Sequence, residues 1–259
     1  MNLGQTRIAV RERGTAEVLD LACRVPFALG GGLYAWLSAL TVLPCVTLCA
    51  AGLWLDIAGG WVWAFAVLCF VFIQGPFTLA ASRLMFSSQV TPREVLVQFL
   101  RSAWPYTVTQ LFKGLLLAGS ALLFIAAPIV WVRLLFLSEI TLLEGTKLVP
   151  SYRRSVRLNR SRVGPAFATW LALLGVAAGF ILCAHVLIEA VTADLLGLGS
   201  VASLWAHGPC TLSCVGLLCA APFVATARYL AYIDGRTRRE GWDVQVDFMR
   251  IAGELAKAS

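Results

Sequence analysis

Long segments without a charged residue are the feature that most constrains this chain. The longest, Leu195–Ala227, runs for 33 residues without Asp, Glu, Lys or Arg. Four more uncharged runs are each longer than about 18 residues, the length that is typical of a membrane-spanning helix; they are Val25–Leu55, Ile57–Ser82, Gly114–Val132 and Val163–Ile188. In lipid, a helix satisfies its backbone polar groups within one segment. The sequence therefore predicts an all-α fold, a polytopic membrane helix bundle.

Composition excludes a soluble protein. Apolar residues make up 59% of the 259 residues and charged residues only 14%, whereas about 25% charged residues are usual in soluble domains. The net charge of +7 could favour nucleic acid, but the cations lie in short segments beside apolar runs, and we predict no nucleic-acid partner.

The eight cysteines contain no CxxC pair, and most lie inside apolar runs, where cysteine packs as a small apolar residue. The residues His185, Glu189, His207 and Cys210 are of metal-ligand type, but no tight motif joins them. We therefore predict no metal site and no cofactor.

The distribution of cations favours six spans: 33–55, 58–82, 106–126, 128–147, 165–189 and 209–231. The segment Ala103–Leu143 has 41 residues and three charges. As one helix it would be about 60 Å long, twice the hydrocarbon thickness, so we expect a turn near Ala126–Pro128. Six spans place 20 of the 21 Lys and Arg residues on one side. The positive-inside rule then predicts a multi-pass protein of the cytoplasmic membrane with both termini in the cytoplasm.

Three parts are expected: a cytoplasmic N-terminal tail with an interfacial helix (1–32), a six-span membrane domain (33–231) and a cytoplasmic basic tail (232–259). In the N-terminal part, apolar residues at helical spacing predict one buried face, namely Val18, Leu21, Ala22 and Val25. A second interfacial helix is predicted to begin at Thr91, because Glu94 follows three residues later, as in a capping box.

Arginines cluster in the segment that precedes the fifth span. Arg153, Arg157 and Arg160 follow helical spacing and are expected to share one face, with Arg154 beside them. Such a cluster can bind anionic headgroups or a partner, although topology alone also explains it.

The basic tail carries a second set of arginines, Arg236, Arg238 and Arg239, close to Asp234. We expect Asp234 to pair with an arginine of the 153–162 loop, because both segments emerge on the same side. Gly235 and Gly241 would let the tail bend back toward the membrane.

Three charged residues fall in the predicted fourth span or at its inner end: Arg133, Glu139 and Glu144. If 128–147 is one helix, Arg133 and Glu144 lie on nearly the same face. Glu139 sits near mid-span, where a charge costs at least about 2.5 kcal/mol, so it must be protonated, paired or in a wet cavity. Two alternatives follow: a proton or substrate contact, or an interhelical hydrogen bond to a neighbour such as Gln74 or Gln110.

Two stretches carry a resemblance to a known family. They are "YIDGRTRREGWD", with Tyr232, Asp234 and Arg-Arg-Glu-Gly, and "LLEGTKLVPSYRRSVRLNRSR", with Glu144, Arg154, Ser155 and Leu158. They resemble motifs of the bacterial glycerophosphoryl diester phosphodiesterase membrane-domain family. The resemblance implies a six-helix membrane domain; the catalytic barrel, which needs about 250 residues, has no room in this chain.

The sequence contains no GxSxG, HExxH or Walker motif, and we predict that the protein is not an enzyme. The leading hypothesis is a non-catalytic membrane scaffold or accessory subunit that presents its basic cytoplasmic surfaces to lipid headgroups or to a membrane or cytoplasmic protein. The alternative is a small transporter that uses Glu139.

Overall fold

The computed structural model describes residues 12–87, 89–121, 127–160, 163–195, 197 and 211–241. Every regular element in these residues is a helix. Two segments are π-helical, Val25–Leu29 and Ala190–Leu195. The α-helices are α1 (Thr15–Arg24), α2 (Gly31–Trp54), α3 (Gly59–Leu84), α4 (Pro92–Ala121), α5 (Ala127–Arg133), α6 (Leu137–Glu144), α7 (Leu148–Asn159), α8 (Val163–Glu189) and α9 (Thr211–Glu240).

Four described helices are long and apolar enough to cross a membrane: α2, α3, α8 and α9. They coincide with four of the predicted spans, because a long uncharged run is a sufficient signal for a helix of this kind. The other two predicted spans, 106–126 and 128–147, fall on α4 and on the pair α5 and α6. These helices are shorter or more polar, so the count of six spans stays a prediction.

The helix α9 lies at the centre of the bundle, in contact with α1, α2, α3 and α8. Small residues along it let its backbone approach neighbouring helices closely. At Gly216 a Cβ atom would lie 2.6 Å from the Cα of Ile181 and 2.7 Å from the carbonyl oxygen of Phe180. Only glycine fits this crossing of α8 and α9.

The helix α4 is longer than predicted. Thr91 caps it as expected, since its Oγ1 accepts the Glu94 N–H at 3.3 Å. The helix then continues for 30 residues through Pro105, so the stretch predicted as interfacial and the beginning of the predicted third span form one helix. Thr109 donates to the Pro105 carbonyl at 2.8 Å, and no glycine near Pro105 ends the helix.

The predicted fourth span is broken. The helix α5 ends at Arg133 and α6 begins at Leu137. Ser155 of α7 donates to the Arg133 carbonyl at 2.6 Å, which supplies the hydrogen bond that a continuous helix would have made. The expectation that Arg133 and Glu144 share one helical face is therefore wrong, because no single helix carries both.

The boundary between membrane domain and tail also differs from the prediction at 231. The helix α9 continues unbroken to Glu240, and Gly235 is buried inside it, facing Phe136. Gly241 has a positive φ of 58°, which glycine adopts without strain. Of the two glycines, only Gly241 acts as a turn residue. The rest of the tail, 242–259, lies outside the described residues.

Candidate functional site

One end of the bundle is rich in charged residues. We define the basic end as α1, α7 and residues 232–240 of α9. Because α2 and α8 begin here and α3 and α9 end here, the opposite end holds the α2–α3 turn and the end of α8. There the exposed residues Asp56 and Glu189 are acidic. The placement of nearly all cations on one side of a membrane stays a prediction from the sequence; Asp194 falls in the π-helical segment and its side chain is not described.

The helix α7 has two different sides. Ser151, Ser155, Leu158 and Asn159 are buried against the bundle. Arg153, Arg157 and Arg160 are exposed, and we call them the arginine face. Within the described part of the chain none of the three forms an ion pair. The shared face predicted from their spacing is thus present, and no carboxylate of the described residues forms an ion pair with it.

Arg154 has a different environment from the arginine face. Its Nη2 lies 2.9 Å from a carboxylate oxygen of Glu240 on α9, and its Nε lies 2.9 Å from Glu144 on α6 as an ion-pair contact. Glu144 also accepts a hydrogen bond from Tyr232, and Glu240 accepts one from Arg236 at 2.9 Å. Arg154 therefore joins α6, α7 and α9, so its charge is committed within the protein.

Asp234 holds the segment that precedes α1. It accepts the Arg13 backbone N–H at 2.8 Å and Arg238 Nε at 3.0 Å. Arg238 also contacts Glu12 at 2.7 Å and donates to the Arg13 carbonyl at 2.8 Å. A carboxylate near the N-terminus of α1 is favourable, because the helix dipole is positive there.

This contact between Asp234 and the N-terminal segment was not predicted from the sequence, because it joins residues that are 221 positions apart. Of the described loop arginines, Arg154 pairs with Glu144 and Glu240. Arg162 lies outside the described residues, and the pairing of Asp234 with the 153–162 loop stays a prediction.

A buried ion pair lies deeper in the bundle. Both carboxylate oxygens of Glu139 contact Arg228 Nη2, at 2.8 and 2.9 Å. Arg228 also donates to the Gln74 side chain at 2.7 Å and to the Leu135 carbonyl at 3.0 Å. Glu139 is 1% exposed and Arg228 8%. The break between α5 and α6 matters here, because it frees the Leu135 carbonyl to accept from a side chain.

Glu139 is therefore paired, but its partner is Arg228 rather than Gln74 or Gln110. The sequence contained a signal for this partner: Arg228 directly follows the longest uncharged run and precedes the predicted end of the last span at 231. Arg228 Nε is buried without a hydrogen-bond partner in the described residues, and so are Gln110 Nε2 on α4 and Ser138 Oγ on α6.

The candidate metal ligands are not brought together in the described structure. His185 Nε2 lies 2.9 Å from Ser213 Oγ, which accounts for one of its ring nitrogens. In the ranges that can be described, no three His, Cys, Asp or Glu side chains are grouped to hold a metal ion. His207 and Cys210 lie outside those ranges.

Comparison of the chain with protein-family models, with curated proteins and with solved structures gives no match in any of the three. The resemblance to the glycerophosphoryl diester phosphodiesterase membrane-domain family therefore stays a prediction from the sequence.

Proposed function

We propose that the protein is a non-catalytic scaffold or accessory subunit of the cytoplasmic membrane, whose arginine face binds anionic lipid headgroups or a partner. One observation carries the proposal: Arg153, Arg157 and Arg160 are exposed on one side of α7 without an ion pair in the described structure. The other side of α7 is buried against the bundle. The buried side of the helix therefore holds it in place, and the three arginines on the other side remain exposed for contact with a ligand.

The basic residues of this end differ in whether they already contact a carboxylate of the protein. Arg154, Arg236 and Arg238 already contact carboxylates, so they orient helices rather than recruit a ligand. A cation near an anionic membrane surface contributes about 1 kcal/mol. The three arginines of the arginine face would then contribute about 3 kcal/mol, roughly a hundredfold in affinity.

The test uses the full chain in nanodiscs that contain phosphatidylglycerol and phosphatidylcholine, with the lipids that co-purify counted by mass spectrometry. We expect the triple variant R153Q/R157Q/R160Q to lose most of its enrichment in phosphatidylglycerol. The matched control R153K/R157K/R160K keeps three charges and should keep the enrichment. Arg154 is left intact in both variants because it holds α6, α7 and α9 together.

Equal enrichment in the glutamine and lysine variants would contradict lipid binding by the arginine face. A second arm, cross-linking in cells, separates the two possible ligands. A protein that is cross-linked to the wild type and the lysine variant, but not to the glutamine variant, would assign the face to a partner. If the glutamine variant keeps both its lipid enrichment and its cross-linked proteins, the arginines have a topological role only, and the proposal is refuted.

Transport through the bundle is the second candidate. It is favoured by the interrupted helix at residues 134–136 and by the buried charges of Glu139 and Arg228, since broken helices and intramembrane charges often line substrate pathways. Flux of small anionic solutes into liposomes tests it. Flux that the wild type supports and E139Q abolishes would favour transport, whereas absence of flux in both would favour the scaffold.

A further inference from the structure

An open groove of about 890 Å³ lies where α3 ends and α4 begins. Because α3 and α9 end on the same side of the bundle, the groove belongs to the same end as the arginine face. Ligand sites commonly have a volume of about 300–1,000 Å³, so the groove is large enough for a lipid headgroup. Its described lining residues are nearly all polar or charged: Arg83, Thr91, Arg93, Glu94, Val97, Gln98 and Arg101.

The groove has an excess of two positive charges, since three arginines and one carboxylate are among its described lining residues. Arg83 is the compensated arginine, because its Nη1 lies 3.2 Å from Glu94 and its Nε donates to Gln98 at 2.7 Å. Arg93 and Arg101 are exposed, and neither forms an ion pair in the part of the chain that the structure describes. An anion can therefore reach both of these arginines, and no carboxylate of the described lining is paired with them.

The two unpaired arginines are separated along α4. They are eight residues apart in the sequence, which is about 12 Å along a helix axis and about 80° around it. A ligand with two separate negative charges matches this arrangement better than a ligand with one phosphate group.

The same face of α4 continues as exposed apolar surface. Leu100 is 71% exposed and Trp104 is 78% exposed, and both lie within about 20° of Arg93 around the helix. Tryptophan is enriched at the membrane–water interface. A lipid bound by the arginines would place its acyl chains against this apolar surface, whereas a free anion would leave it uncovered.

We propose that this groove binds one phospholipid with two phosphate groups, of the cardiolipin class. Arg93 and Arg101 each donate to one phosphate group. The acyl chains pack along Leu100 and Trp104. Basic pockets between membrane helices on the cytoplasmic side bind the headgroups of such lipids. The groove shares no residue with the arginine face, so the inference does not depend on the function proposed for that face.

The first experiment counts bound lipid by native mass spectrometry. The delipidated full chain in detergent is titrated with cardiolipin, and phosphatidylglycerol at equal phosphate concentration is the comparison lipid. We expect one retained cardiolipin in the wild type and at least tenfold weaker retention in R93Q/R101Q. The variant R93K/R101K keeps both charges and should retain the lipid. The matched control R153Q/R157Q removes two charges from the arginine face and should also retain it.

The second experiment separates a ligand contact from a structural role by thermal unfolding. Since neither Arg93 nor Arg101 is paired in the described structure, R93Q/R101Q should unfold at the wild-type temperature in lipid-free detergent. A ligand that binds the folded state raises the unfolding temperature. Cardiolipin should therefore stabilise the wild type more than it stabilises R93Q/R101Q.

The outcomes distinguish the possible ligands. Equal retention of cardiolipin in R93Q/R101Q and the wild type would overturn the proposal. An equal loss in R93Q/R101Q and R153Q/R157Q would also overturn it, because retention would then follow net charge alone. Retention of phosphatidylglycerol as tight as that of cardiolipin would overturn the assignment to a lipid with two phosphates. Stabilisation by inorganic pyrophosphate as large as that by cardiolipin would assign the groove to a free anion instead.

Failure of the groove and failure of the arginine face are separable. The variant R153Q/R157Q/R160Q should keep the single cardiolipin while it loses its enrichment in phosphatidylglycerol. The variant R93Q/R101Q should show the converse result. A loss of both properties in each variant would contradict two separate sites.

Discussion

Replacement of Arg228 by methionine is expected to destabilise the protein more than any exposed arginine substitution. The change leaves Glu139, which is 1% exposed, without the guanidinium that contacts both of its carboxylate oxygens. It also removes the donors to Gln74 and to the Leu135 carbonyl. Removal of one partner from a buried ion pair costs about 3–5 kcal/mol.

This cost can be measured by thermal unfolding in a mild detergent. A loss of about 3 kcal/mol corresponds to a decrease in Tm of roughly 6–12 °C for a chain of this size. The control R101M changes an exposed arginine of α4 that has no ion pair in the described ranges. Its effect should stay within about 0.5 kcal/mol, as for most surface substitutions.

The double variant R228M/E139L tests the cause of the loss. Two apolar residues of similar volume often replace a buried ion pair at little cost, so the double variant should recover at least half of the stability that R228M loses. The Gln74 and Leu135 oxygens would still lack their donor, which limits the recovery. A single variant within 1 kcal/mol of the wild type, or a double variant no more stable than the single one, would refute the reasoning.

Three further predictions concern packing, a hydrogen bond and a turn, each read as a change in unfolding temperature. G216A should cost about 1–3 kcal/mol, because a Cβ there lies 2.6 Å from the α8 backbone, whereas G175A, whose Cβ meets nothing within 4 Å, should be neutral or stabilising. Y34F should cost about 1 kcal/mol, since it removes the buried 2.7 Å hydrogen bond to Thr226; no loss would contradict this. G241A should cost about 1–2 kcal/mol because φ is 58°, and an unchanged helix end with unchanged stability would argue against that strain.

Much of the fold followed from local signals in the sequence. Long uncharged runs identified α2, α3, α8 and α9, because lipid permits few alternatives to a helix in such runs. Helical spacing identified the arginine face, and the capping box identified the start of α4 at Thr91. In each case the residues that specify the structure are neighbours in sequence.

The break between α5 and α6 could not be predicted in this way. The residues between Arg133 and Leu137 are apolar and include no glycine or proline, so no local signal ends the helix. The broken backbone is stabilised from outside, by Ser155 on the Arg133 carbonyl and by Arg228 on the Leu135 carbonyl. Contacts between residues so distant in sequence are not encoded in periodicity, and the partner of Glu139 was missed for the same reason.

The orientation of the basic end in the membrane is the claim on which the proposed function depends most. It is tested by single cysteines placed in a cysteine-free background at Lys147, which precedes α7, and at Asp56, which lies in the α2–α3 turn; both positions are exposed. An impermeant thiol reagent added to intact cells should label position 56 and should label position 147 only after the cells are opened. Labelling of position 147 in intact cells, with position 56 protected, would contradict a cytoplasmic arginine face.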